Sequence, residues 1–268
     1  MASPWERLFT GAARVFAWSV ALTPVAIVAI LVAASLAGKQ RPDPVLFLGH
    51  IVVELVATLL IAALGSAAGT AIGLGTALFS RELVSGRLGQ VIAFGAEGLA
   101  AFPAVVLGWF CATLILPVLS GRPQVAVFGA AFVIVMLAVI PRANVLAKRC
   151  LGALPDSIRE AAAAAGASPA RITAHVTLPA CAEKLVGILA DAFARGMGEA
   201  AGVSIVFLAA ARAGYPVALF TIPSTIMAHA QTTQLIDAGI AEQALIVLFL
   251  AAISRRFAVH SLGGLLWV

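Results

Sequence analysis

The sequence predicts an all-α, polytopic membrane protein with about six transmembrane helices, and three observations carry that prediction. Hydrophobic residues make up 62% of the 268 and charged residues only 11%, far below the roughly 25% that a water-soluble domain carries. The apolar residues fall in six long runs, near 15–37, 51–79, 91–120, 125–141, 185–210 and 235–254. Each is near the ~20 residues that cross a bilayer as a helix. None shows the period-two alternation of a barrel strand, and helices satisfy their own backbone hydrogen bonds where water is absent.

The first run, Val15 to Ala37, follows Arg7 and Arg14. It is longer than the 7–15 apolar residues of a secretory signal, so it is expected to stay as the first helix. Residues 1–50 are thus an N-terminal cytoplasmic segment and first span, and 51–260 the main transmembrane domain. In the second run Gly65, Gly69 and Gly73 recur every four residues, a ridge for close helix approach. Pro103 interrupts the third run. The fifth contains Asp191, Arg195 and Glu199 at four-residue spacing; Glu54 and Glu97 are further acids in or near apolar stretches.

Basic residues set the orientation. With six spans, Arg7, Arg14, Arg81, Arg87, Arg142, Lys148, Arg149, Arg159, Arg171, Lys184, Arg255 and Arg256 fall on one side. Only Lys39, Arg41, Arg122 and Arg212 fall on the other. The richer side is cytoplasmic by the positive-inside bias, which puts both termini in the cytoplasm. The same distribution assigns the net charge of +5 to membrane topology and lipid contact, with no nucleic-acid partner.

One cytoplasmic connection, 142–184, is long. Pro155-Asp156-Ser157-Ile158-Arg159-Glu160 runs into five alanines and then Gly166. Alanine favours helix, an acid or serine suits the first turn, and glycine suits the stop. Ser168-Pro169 starts a second short helix. The loop therefore reads as two short helices around a glycine turn.

No phosphate-binding Gly-x-x-x-x-Gly-Lys-Ser/Thr loop is present, and no metal-ligand spacing joins Cys111, Cys150, Cys181 or the four histidines. Catalytic residues, metal and cofactor are all expected to be none. An enzyme would need a nucleophile beside a base, and no such pair converges by spacing; a secondary transporter would show repeated halves, which this chain lacks.

Glu160-Ala161-Ala162, then Gly166, then Leu178-Pro179 resemble the cytoplasmic coupling loop of bacterial ABC-importer permeases. Glu97 to Gly108, with Pro103 between, and Arg195-Gly196-Met197-Gly198-Glu199 are similar to the third- and fifth-span signatures of the phosphate-importer permeases. The resemblance covers most of 50–210. It implies a type I ABC-importer permease fold in a bacterial inner membrane, with loop 155–179 seated on a pair of cytoplasmic ATP-binding subunits that hydrolyse the ATP. It also implies a second permease subunit, identical or homologous, and a periplasmic or extracellular phosphate-binding protein. Arg195 would then meet the passing oxyanion, with Glu199 or Asp191 as its partner. Two departures stand out. The phosphate permeases place threonine where Ala200 follows Glu199, and sulfate and molybdate permeases, the alternative, place Phe-Gly there.

Overall fold

A computed structural model describes residues 4–37, 44–84, 86–217, 220–232 and 238–263; Lys39 and Arg41, two of the four basic residues assigned to the poorer side, lie outside them. All regular structure among these residues is helical: α1 (Pro4–Ala37), α2 (Pro44–Leu78), α3 (Arg87–Gly98), α4 (Ala104–Val118), α5 (Pro123–Gly152), α6 (Asp156–Ala164), α7 (Pro169–Ile172), α8 (Leu178–Gly198), α9 (Ala200–Arg212), α10 (Ile222–Thr232) and α11 (Ala238–Leu262). π-Helical turns at Phe79–Leu83 and Thr173–Thr177 extend α2 and lead into α8.

Four of these helices, in α1, α2, α5 and α11, are long and apolar enough to cross a membrane unaided. The third predicted span is a broken one: α3 and α4 meet at an angle of 99°. Leu99–Ala101 is a short 3-10 turn, and Pro103 takes an extended backbone there. Proline has no N–H to continue a helix and disfavours helix in the residue before it. The fifth span is also divided, into α8 and α9, at Glu199. Together these elements make a multi-pass membrane protein.

Two boundaries need correcting. Arg142 and Arg255 were placed in connections beyond the fourth and sixth apolar runs, yet α5 continues to Gly152 and α11 to Leu262. Both arginines lie within helices. Pro141 is buried inside α5.

The core sits around α5, whose Val127, Ile134, Val135, Val139, Leu146 and Leu151 are all at most 1% exposed. α2 runs parallel to it and packs through the predicted glycine ridge. A Cβ at Gly65 would lie 2.8 Å from the Val135 side chain, at Gly69 2.6 Å from the Met136 carbonyl oxygen, and at Gly73 2.7 Å from Ala143 Cβ. Only glycine permits that approach, and in lipid such packing is a main source of helix association. Gly69→Ala is expected to destabilise the bundle by up to about 2 kcal/mol: overpacking costs about 1–3 and better helix propensity returns about 1. Gly75→Ala, where a Cβ would meet nothing within 4 Å, is the control and should be neutral or slightly stabilising. Thermal or denaturant unfolding in detergent measures both.

α8 runs antiparallel to α2, α5 and α11, and Ser66 Oγ in α2 donates to the Ala192 carbonyl at 2.9 Å. α10 was not foreseen. The chain turns at Gly214 (φ +74) and comes back until Phe220 packs on Phe207 in α9. α10 then starts deep in the bundle, where the Ile222 amide donates to Thr58 Oγ1 (3.0 Å) and the Thr221 amide to Ser224 Oγ (2.9 Å). Glu54 ties α2 to this element and to α11, accepting from Thr225 Oγ1 (2.8 Å) and Gln243 Nε2 (3.2 Å).

Candidate functional site

Three charged residues of the fifth span, Asp191, Arg195 and Glu199, follow one another at i, i+4 and i+8. That spacing aligns them along one side of α8 and its C-terminal end. The structure resolves their partners. Arg195 Nη2 lies 3.2 Å from Glu199 Oε1, and Arg195 Nε donates to the Ala138 carbonyl of α5 at 3.0 Å. Asp191 is fully buried and takes two other arginines: Arg142 Nε on Oδ2 at 2.8 Å and Arg255 Nη1 on Oδ1 at 2.7 Å. The partner of Arg195 is therefore Glu199.

Arg142 comes from α5, Arg195 from α8 and Arg255 from α11, and all three line one open groove of about 620 Å³. Their side chains are 38%, 47% and 52% exposed, while Asp191 is 0% and Glu199 10% exposed. The carboxylates thus sit behind, and the guanidiniums face the open space. Three cations against two anions leave one positive charge in excess. A charge within a membrane helix costs at least ~2.5–3.5 kcal/mol on insertion scales, so this cluster is far from what packing alone would select. Chemically, it offers planar multi-donor groups to a small oxyanion.

Small residues let α8 approach closely enough to build the groove. A Cβ at Gly196 would fall 2.5 Å from Ser66 Oγ and 2.9 Å from Val135 Cγ1. At Glu199 the backbone leaves the helix (φ −77°, ψ 37°) and its amide donates to the Gly196 carbonyl at 3.3 Å. Behind the break lies a small void lined by Thr58, Gly196, Glu199, Thr221 and Pro223, so the start of α10 abuts the charge cluster. Glu97 is elsewhere, paired with Lys148 at 2.6 Å.

The predicted loop has its predicted shape. α6 ends in a turn at Gly166 with φ +83°, a conformation that favours glycine. Ser168 Oγ caps α7 by accepting from the Arg171 amide at 3.4 Å. Glu160, Ala161 and Gly166 are exposed, Ala162 is half-buried, and no residue of α6 is buried. Leu178 and Pro179 begin α8, where proline suits the first turn. The loop thus displays a small-residue helix with nothing packed on its outer face among the described residues.

The fold is that of the permease subunits of ABC importers. The chain aligns with the methionine ABC transporter MetNI, described in inward-facing conformations, at a TM-score of 0.65 and 16% identity, over 84% of this chain and 99% of that one. It aligns with a bacterial ABC transporter involved in import of the acidic polysaccharide alginate at a TM-score of 0.55 and 14% identity, over 93% of this chain and 99% of that one. In sequence it is similar to the phosphate transport system permease protein PstA 1 of Mycobacterium tuberculosis, strains CDC 1551 / Oshkosh and ATCC 25618 / H37Rv. Identity with each is 28% over 162 residues, which is 60% of this chain and 52% of the relative. The chain thus spans about half the length of the curated relatives it matches. No protein-family model matches it.

Proposed function

We propose that this chain is the permease subunit of an ATP-driven importer and forms half of a translocation pathway for inorganic phosphate. The observation that carries the reading is the groove in which Arg142, Arg195 and Arg255 face open space around two recessed carboxylates. Similarity to a phosphate permease supports the choice of substrate, and the exposed α6 with its glycine turn supports the choice of energy source. In this reading α6 docks on one of a pair of cytoplasmic ATP-binding subunits, through Glu160, Ala161, Ala162 and Gly166, with Leu178 and Pro179 passing movement into α8. A second permease subunit completes the pathway, and a phosphate-binding protein delivers the anion at the other face. The protein lies in the bacterial cell membrane with both termini cytoplasmic, and ATP is hydrolysed by the partner.

An arriving oxyanion competes with Glu199 for Arg195, whose fork carries more donors than one carboxylate uses. Glu199 stays close by and disfavours a second negative charge, so the anion is held weakly enough to leave. Asp191 meanwhile keeps Arg142 and Arg255 aligned on the groove wall.

The test is uptake into proteoliposomes by the assembled complex, supplied with binding proteins loaded with phosphate, sulfate or molybdate. Phosphate alone should be taken up. Arg195→Gln should lower that uptake roughly ten- to hundredfold, the effect of losing a charge-assisted hydrogen bond, with assembly and ATPase recruitment intact. Uptake by Arg195→Gln at the wild-type rate would remove Arg195 from the pathway. Stimulation by the sulfate or molybdate form alone would reassign the substrate.

A further inference from the structure

The chain connects the loop to α5 on one side and α8 on the other; α7 packs against the π turn that ends α2, and one side chain of α6 adds a polar attachment there. Arg159, in the first turn of α6, points away from the exposed face and is only 16% exposed. Its Nη1 donates to the Leu154 carbonyl and to the Asp156 carboxylate, both at 3.0 Å. Its Nη2 donates to Glu82 Oε1 at 3.1 Å and to the Leu151 carbonyl. Leu151 lies in the last turn of α5, and Leu154 in the link that follows. Glu82, 9% exposed, belongs to the π-helical turn that ends α2. One guanidinium therefore binds the start of α6, the end of α5 and the end of α2. Arg81 adds to the junction, with its guanidinium over Gly152.

We propose that Arg159 and Glu82 form a latch that makes α2 follow the movement of α6. This rests on the permease reading above. Without the latch, a displacement of α6 reaches α5 and α8 through the chain, and α2 follows only by packing. With it, α2 and α5, already interlocked along the glycine ridge, are pulled from the same point. α8 then moves against a single two-helix block, and Arg142 on that block shifts relative to Asp191 on α8. The π turn fits this role, since such turns interrupt the regular ladder and are frequent at functional sites. Arginine is required because its fork reaches two carboxylates and two carbonyls at once, which a lysine ammonium on a flexible stem does not match. Arg159 and Glu82 are positioning residues: neither lines the groove.

Spin labels at Ala164→Cys and Leu83→Cys, both exposed positions, read the latch directly in the full-length protein, since Cys111, Cys150 and Cys181 are buried. A narrow distance distribution is expected, broadened to the same extent by Arg159→Ala and by Glu82→Ala. In the assembled complex either variant should keep its ATPase subunits and basal hydrolysis. Anion imported per ATP hydrolysed should fall roughly tenfold, the scale of coupling along a packed network, with the double variant no worse than either single one. Arg159→Lys should not restore it. An unchanged label distance in Arg159→Ala, or a double-variant loss equal to the product of the two single losses, overturns the latch. If Arg159→Ala does not fold, Glu82→Gln carries the same two measurements with the same expectations. Wild-type protein that recruits no ATPase overturns the permease reading, and with it the transmission role, whatever the label distances show.

Discussion

Asp191→Ala is expected to destabilise the bundle by about 3 kcal/mol. Removing one partner of a buried ion pair costs about 3–5 kcal/mol because the remaining charge is left uncompensated. Here the lower end applies, since Arg142 and Arg255 are 38% and 52% exposed and the groove screens them in part. Two helices are affected at once, because Asp191 is the point where α5 and α11 are both hydrogen-bonded to α8. Unfolding in detergent, followed by circular dichroism or by loss of the monodisperse peak on heating, measures the effect. Asp191→Asn, which keeps the shape and one acceptor, should lose less. Replacing Arg142 and Arg255 by glutamine together with Asp191→Asn should recover part of the loss, since no unpaired charge then remains. Equal stability of wild type and Asp191→Ala would show that the arginines are fully solvated in the groove.

Gly202→Val should also destabilise the bundle. α4 and α9 touch backbone to backbone: a Cβ at Gly202 would sit 2.6 Å from the Ala104 carbonyl oxygen and 3.0 Å from Ile134 Cγ2. A Cβ at Gly108 would sit 2.5 Å from the Gly202 carbonyl oxygen. Carbonyl oxygens in a helix cannot rotate aside as a side-chain tip does, so the helices themselves must separate. Overpacking of this kind reaches about 3 kcal/mol. Because α9 starts one residue after Glu199, the separation also moves the break and the groove wall. Transport should therefore fall even under mild conditions where the variant still folds. Gly198→Ala, three residues after Arg195 on the groove wall and with nothing within 4 Å of its Cβ, separates proximity from packing. It should keep near-normal stability. An unfolding midpoint for Gly202→Val equal to that of Gly198→Ala would mean that α4 and α9 do not pack this closely.

Much of this architecture was legible in the residues because it depends on local pattern. Hydropathy located the spans, a four-residue glycine repeat marked the face of α2 that packs closely though not its partner α5, and an alanine run stopped by Gly166 described α6 and its turn. Arg195 and Glu199 are four apart, so a single helix brings them together. What escaped depends on separation in the chain. Arg142 reaches Asp191 across 49 positions and Arg255 reaches it across 64, and no periodicity encodes that. Both arginines were misplaced for a physical reason: a charge ends an apolar run on a hydropathy reading, whereas the helices go on past it to their ends at Gly152 and Leu262. Asp191 was visible only as one of two acids near Arg195. α10 was hidden because it is only 11 residues long and Ser224, Thr225 and His229 interrupt its apolar residues before they make a spanning run. The break at Glu199 was hidden because Ala200 and Ala201 are good helix formers and offer no stop signal.

That break has an electrostatic consequence. Interrupting the fifth apolar run creates two extra helix ends inside the bundle, and each end carries about half an elementary charge. Arg195 lies in the last turn of α8, beside the negative end, and Glu199 lies at the first residue before α9, beside the positive end. Arg195 is favoured by the end it occupies, by about 0.3–1 kcal/mol. Glu199 caps both helices, so its carboxylate meets the negative end of α8 and the positive end of α9 together and gains little from either. The break therefore favours the cation of the pair more than the anion. An anion that draws Arg195 away competes with the carbonyl end of α8 as well as with Glu199.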